Sequence, residues 1–251
     1  QRRAQAYRPL GGEALQGLDV LVAITTAMVP RLNGATNVGA SDTLKNASCK
    51  RCLLWTGAAV GTGMAATYVA LDQAWYAQYD RTPLHGFNDG SEWMQMDKAG
   101  HLFSAYTMGS WGHALVKGCG ASPRTARWAG GTLGLAFLTG VEVLDGTSSG
   151  WGFSWWDMAA NTAGTGLFIG QDALWGEQRI RVKLSAQHTE YAGVRPDLLG
   201  SGTIERYLKD YNGQTIWLSG NLESFAPGCL PPWLNVAVGY GAEGMVSAHP
   251  Q

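Results

Sequence analysis

Charge is what this chain has least of. Of its 251 residues only 15% are Asp, Glu, Lys or Arg, against about 25% in an average soluble domain. The 18 basic and 19 acidic side chains leave a formal net charge of −1. That balance excludes a nucleic-acid binder, because neutralising phosphates requires clustered cations. Cysteine is sparse as well, with Cys49, Cys52, Cys119 and Cys229. Cys49-Lys50-Arg51-Cys52 has no second CxxC to complete a zinc site. It also lacks the βαβ surroundings of a thioredoxin-like redox pair. No basic start followed by an apolar run is present, since Gln1-Arg2-Arg3-Ala4 leads into mixed sequence. We therefore expect a mature, exported chain whose even cysteine count serves disulfides in an oxidising compartment. Clean membrane spans of roughly 20 apolar residues are few.

What the chain has instead is 35 Gly, 11 Trp and a hydrophobic share of 45%, which excludes a disordered chain. Residues 1–48 read as an N-terminal extension, with a short apolar stretch from Val20 to Val29 and a loop from Asn33 to Ser48. Four uncharged apolar segments follow: Leu53–Leu71, Ala99–Val116, Trp128–Val141 and Met158–Gln171. The first two reach membrane length and the last two fall short. Small-xxx-small pairs at Gly57/Gly61, Gly130/Gly134 and Gly166/Gly170 suit close helix packing, and Trp near segment ends suits an interfacial belt. After Trp175 the pattern changes. Arg179–Leu184 alternates as a half-buried strand does, Asp210-Tyr211-Asn212-Gly213 is a turn ahead of Thr215–Leu218, and Trp233–Tyr240 is β-prone. A short helix is expected at Ile204–Lys209. The fold expectation is mainly α: a compact four-helix, membrane-associated bundle over residues 49–176, followed by an irregular, partly β tail over 177–251.

Consecutive helices with short connections run antiparallel. That arrangement brings Asp72, the Asp97–His101 segment, Glu142, Asp145, Asp157 and Asn161 to one end of the bundle. The pairs Asp97/His101, Glu142/Asp145 and Asp157/Asn161 are three or four residues apart, so each shares a helix face. Ionisable groups at the edge of an apolar bundle are costly unless paired, so Asp97, Lys98, His101, Glu142, Asp145, Asp157 and Asn161 are expected to form one polar network. Three roles compete for it. The first is a structural network around Lys98 that fixes helix register. The second is a divalent-metal site with His101, Glu142 and Asp157 as candidate ligands. The third is acid–base catalysis by His101 with Asp97 and Glu142. No cofactor is required by the first. Catalysis lacks a nucleophile motif around Ser104, and His113 reads as a buried polar residue. At the opposite end, antiparallel helices bring Cys119 to Cys49 or Cys52, predicting a disulfide staple. A Cys49–Cys52 bond, or a bond from Cys229, remains open.

The ordered set Asp97-Lys98-xx-His101, Glu142-xx-Asp145 and Gly152-Phe153-Ser154-Trp155-Trp156-Asp157-xxx-Asn161-xx-Gly164 resembles the YfiM-like family of bacterial periplasmic lipoproteins of unknown function. The tail segments Tyr191–Asp197, Lys209–Thr215 and Gly239–Met245 are similar to longer, Bacteroidota-type members. The resemblance implies export and a place in the cell envelope, at the outer membrane or its periplasmic face. It brings no established reaction and no site roles. No lipidatable Cys stands at Gln1, so contact with membrane lipid is expected to come from the apolar helices. The leading functional expectation is a non-enzymatic subunit or accessory of an outer-membrane protein assembly, with membrane lipid and an envelope protein as partners. Its rivals are a membrane-associated hydrolase acting on lipid or cell wall, and a periplasmic metal-binding protein.

Overall fold

A computed structural model describes residues 41–248; the Val20–Val29 stretch and most of the N-terminal extension lie outside the described residues. Helix α1 spans Ser41–Leu71 and continues as a π-turn through Asp72–Tyr76. It thus begins inside the stretch expected to be loop, because Asn46 to Cys52 carries nothing that breaks a helix. Strand β1 (Gly86–Phe87) and a 3-10 turn lead to α2 (Met96–Gly118). A short α3 (Pro123–Thr125), capped by Ser122 with Pro at its first position, precedes a π-turn over Ala126–Gly130 and then α4 (Leu133–Gly146). The third apolar segment is therefore two helical pieces that together run past the expected Trp128–Val141 at both ends. Strand β2 (Phe153–Ser154) opens α5 (Trp155–Trp175), whose N-terminus is capped by the Ser154 hydroxyl accepting from the Asp157 amide and whose C-terminus ends on left-handed Gly176.

Three of these helices pack closely: α2 lies against α4 and α5, and α4 against α5. Glycines set the approach. A Cβ on Gly134 would sit 2.4 Å from the Ala105 carbonyl oxygen, one on Gly130 2.4 Å from the Gly112 backbone, and one on Gly164 2.2 Å from the Leu102 carbonyl oxygen. Of the three expected small-xxx-small pairs only Gly130/Gly134 packs; Gly57, Gly61, Gly166 and Gly170 face open space. Gly164, which no spacing pattern flagged, takes the α5 contact.

Helix α1 lays one half-buried stripe, Leu53, Thr56, Val60, Met64 and Tyr68, along this core and leaves the rest of its surface exposed. Near one end a Cys52–Cys119 disulfide staples it to the end of α2, with Cα atoms 5.4 Å apart. Near the other, the Tyr68 ring stacks on Phe137 at 5.0 Å and its hydroxyl donates to the Phe137 carbonyl at 2.7 Å. The disulfide closes a loop with a sequence separation of 67 residues, for which chain entropy gives about 4 kcal/mol. Cys49 and Cys229 are free thiols, which settles the pairing left open by the sequence.

The tail is a three-stranded antiparallel sheet in the order β3 (Ile180–Ala186), β4 (Gln214–Asn221), β5 (Asn235–Tyr240). Short helices α6 (Tyr191–Val194), α7 (Pro196–Leu199) and α8 (Thr203–Lys209) connect β3 to β4. Val182 and Ile216 turn inward to meet Met96, Tyr106, Phe168 and Ile169, so the sheet shares its core with α2 and α5. The fold is mostly helical with a partly β C-terminal region.

Candidate functional site

The polar residues expected at one end of the helices meet there, around Lys98. Its ammonium lies 2.5 Å from Asp89 Oδ2, 2.9 Å from Asp97 Oδ2 and 2.9 Å from Asp157 Oδ1. That ammonium is the polar partner of the buried Asp157 Oδ1. Asp97, Lys98 and His101 come from the first turns of α2, Glu142 and Asp145 from the last turns of α4, and Asp157 and Asn161 from the start of α5. Asp72, expected among them, pairs with Arg81 instead.

Four further residues complete the cluster. Asp89 arrives because β1 pairs in parallel with β2, Gly86 opposite Phe153. That places it 2.5 Å from the Ser154 hydroxyl, which donates to it. Ser154 also donates its backbone N–H to Glu142 Oε2 at 3.1 Å. Tyr211, from the sheet region, donates to Asp97 Oδ1 at 2.8 Å, and Tyr76 donates to Asp145 Oδ1 at 2.7 Å. Ser154 carried a readable signal, a Ser three residues before an acid at a helix start. Asp89, Tyr76 and Tyr211 carried none, since long-range strand pairing and sheet placement bring them in.

His101 sits at the centre of the carboxylates. Its Nδ1 is 3.0 Å from Asn161 Oδ1 and 3.8 Å from Glu142 Oε1, while its Nε2 is 3.9 Å from both Asp97 Oδ1 and Asp157 Oδ1. The expected metal set of His101, Glu142 and Asp157 is thus divided between the two ring nitrogens. The donors that face one another are Asp97, His101 and Asp157, with ligand atoms within 4.8 Å. Glu142 Oε1 and Asn161 Nδ2 are buried with no hydrogen-bond partner.

Burial and mutual repulsion govern the acids. Burial pushes Glu142 up to about 8, against the attraction of His101 and with added repulsion from Asp157. Burial and then the Asp97 charge raise Asp157 to about 7, and burial raises Asp145 to about 6. Burial opposes ionisation of Asp97 too, but the charges of His101 and Lys98 and hydrogen bonds from Lys98 and Tyr211 hold it below the ordinary range. Burial works against a charged His101 and a charged Lys98; the surrounding carboxylates outweigh it and raise both. The Ser154 hydroxyl is fully engaged, donating to Asp89 and accepting from Asp157. At the other end of the core His113 Nε2 is 3.5 Å from Asp172 Oδ1, which also holds Arg127 at 2.6 Å.

Fold and site together define a disulfide-stapled, mainly helical protein built around a buried centre of five carboxylates, one lysine and one histidine. Residues 86–169 match the model of a family described as predicted periplasmic lipoprotein (DUF2279), the family of unknown function that the Asp97–Asn161 motifs resemble. Its description agrees with export to the cell envelope. The matched span holds the cluster from Asp89 to Asn161 and stops short of Tyr211. No curated protein and no solved structure matches the chain.

Proposed function

We propose that the protein is a non-enzymatic component of the cell envelope, seated on a membrane by α1 and serving as a subunit or accessory of an outer-membrane protein assembly. One observation carries the reading. Asn46–Tyr76 is long and apolar enough to cross a membrane, and none of its most apolar 18-residue window is buried. Leu54 is 71% exposed, Trp55 70% and Val69 61%. An uncovered apolar surface of this length marks a lipid or protein contact. Exposed indoles flank it, with Trp55, Trp111 and Trp128 toward the disulfide end and Trp155 and Trp156 toward the cluster end, as in an interfacial belt. In this reading α1 completes a four-helix, membrane-associated bundle only when its free side is covered.

The charged cluster is then a clasp. It ties the ends of three helices to the 76–95 segment and, through Tyr211, to the sheet. The engaged Ser154 hydroxyl supports this reading over a hydrolase. The role is tested by crosslinking in cells and gentle solubilisation of the envelope fraction. Recovery of the chain in stoichiometric complex with an envelope protein is expected. Recovery as a lone chain, with turnover of a lipid or glycan substrate that depends on His101, would overturn it.

A further inference from the structure

We infer that the Nε2 side of His101 is a binding site for a divalent transition-metal ion of the zinc class, held by Asp97 Oδ1, His101 Nε2 and Asp157 Oδ1. The inference starts from the imidazole's other nitrogen. Nδ1 faces two acceptors, the Asn161 carbonyl oxygen at 3.0 Å and Glu142 Oε1 at 3.8 Å. That side therefore holds a ring proton, and in the neutral ring, the form a metal binds, Nε2 presents its lone pair to Asp97 Oδ1 and Asp157 Oδ1. At 3.9 Å each these oxygens are too far for hydrogen bonds. Three electron-rich atoms thus converge, all within 4.8 Å of one another. Zinc bonds nitrogen and oxygen at about 2.0–2.2 Å, so an ion at the centre would draw the three donors inward by a few tenths of an ångström.

A second feature is the burial of one of these donors. Asp157 is 5% exposed, and its Oδ1, which faces Nε2, has only the Lys98 ammonium at 2.9 Å for a polar partner. A carboxylate oxygen carries more than one lone pair, so Asp157 Oδ1 keeps acceptor capacity on its His101 side. Outer groups already orient the ligands as metal sites require. Tyr211 donates to Asp97 Oδ1, Lys98 holds Asp97 Oδ2, and Asn161 fixes the imidazole tautomer. The side chains of His101 and Asp97 remain 16% and 21% exposed, which provides an entry path. The imidazole ligand favours zinc over magnesium or calcium.

The test uses the full chain, stripped with chelator and titrated with Zn2+ by calorimetry at neutral pH. One equivalent is expected to bind, with a raised Tm. His101→Gln and Asp157→Asn should each weaken binding at least tenfold, while His113→Gln should leave it unchanged. Because either site variant can unfold, 15N NMR of the imidazoles in the unaltered protein is the second readout. Zn2+ should shift Nε2 of a single histidine whose Nδ1 keeps its proton. No stoichiometric uptake, uptake that shifts only histidines other than His101, or a folded His101→Gln that binds as tightly as the parent would overturn the site.

Discussion

At the scale of single residues, Glu142 shows most clearly what this cluster costs and why. Its Oε2 accepts the Ser154 N–H, its Oε1 accepts nothing, and burial lifts its pKa to about 8. The folded pKa lies above the ordinary value of 4.5. The folded state therefore binds this proton more tightly, and that stabilisation is present at acid pH and lost as pH rises through about 8. Asp157 and Asp145, raised to about 7 and 6, act in the same direction. Asp89, held low against its burial by hydrogen bonds with Asp157 and Lys98, and Asp97, held low against its burial by the charges of His101 and Lys98, lose their contribution only at strongly acid pH. Metal-free protein should accordingly be less stable at pH 8 than at pH 5, by up to about 1.4 kcal/mol per pH unit for each group titrating. Glu142→Gln keeps an acceptor for Ser154 and removes the charge. Urea unfolding in chelator should show the variant gaining on the parent as pH rises from 5 to 8. A parent more stable than the variant at pH 8 would count against this assignment of the cost.

At the scale of elements, the helix contacts rest on glycine backbones rather than on large side chains. Gly134 meets the Ala105 backbone and Gly130 the Gly112 backbone. Adding one methyl at Gly134 must push α4 off α2, and overpacking of this kind costs about 1–3 kcal/mol. Gly166→Ala, at an open position on α5, should be neutral or slightly stabilising by helix propensity. Thermal melts of the two variants give the comparison, and equal Tm values would contradict the packing described. Here the sequence was half legible. Uncharged runs announced the helices, and the Gly130/Gly134 spacing announced a real contact. The equally regular Gly57/Gly61 and Gly166/Gly170 face outward, because spacing defines a stripe without saying which neighbour it meets. The same limit applied to the cluster. Antiparallel order brought Asp97, Lys98, His101, Glu142, Asp145, Asp157 and Asn161 together, since helix periodicity is local. Asp89 and Tyr211 depend on a two-residue parallel pairing and on the seating of a distant sheet, neither of which leaves a pattern in nearby residues. Three successive left-handed residues before α2, Trp93, Met94 and Gln95, were equally invisible, since none is glycine. They are held by long-range bonds such as Trp93 N–H to the Ala248 carbonyl and Tyr240 hydroxyl to the Met94 carbonyl.

At the scale of the whole molecule, the protein is divided between a satisfied interior and an unsatisfied edge. α2, α4 and α5 bury a common core with the sheet, and the cluster closes one end of it. Helix α1 is fastened by Cys52–Cys119 and by Tyr68 on Phe137, and no residue of its most apolar stretch is fully buried. Water is a poor solvent for that edge, which is why we propose a membrane against it. The most direct measurement is flotation of the purified chain with lipid vesicles on a density gradient, beside a variant carrying Ala58→Glu and Ala65→Glu. Both substitutions fall at exposed α1 positions and should leave the fold intact. The parent is expected to float with the vesicles and the variant to stay at the bottom; a parent that stays at the bottom as a monodisperse monomer in detergent-free buffer would contradict the membrane seat.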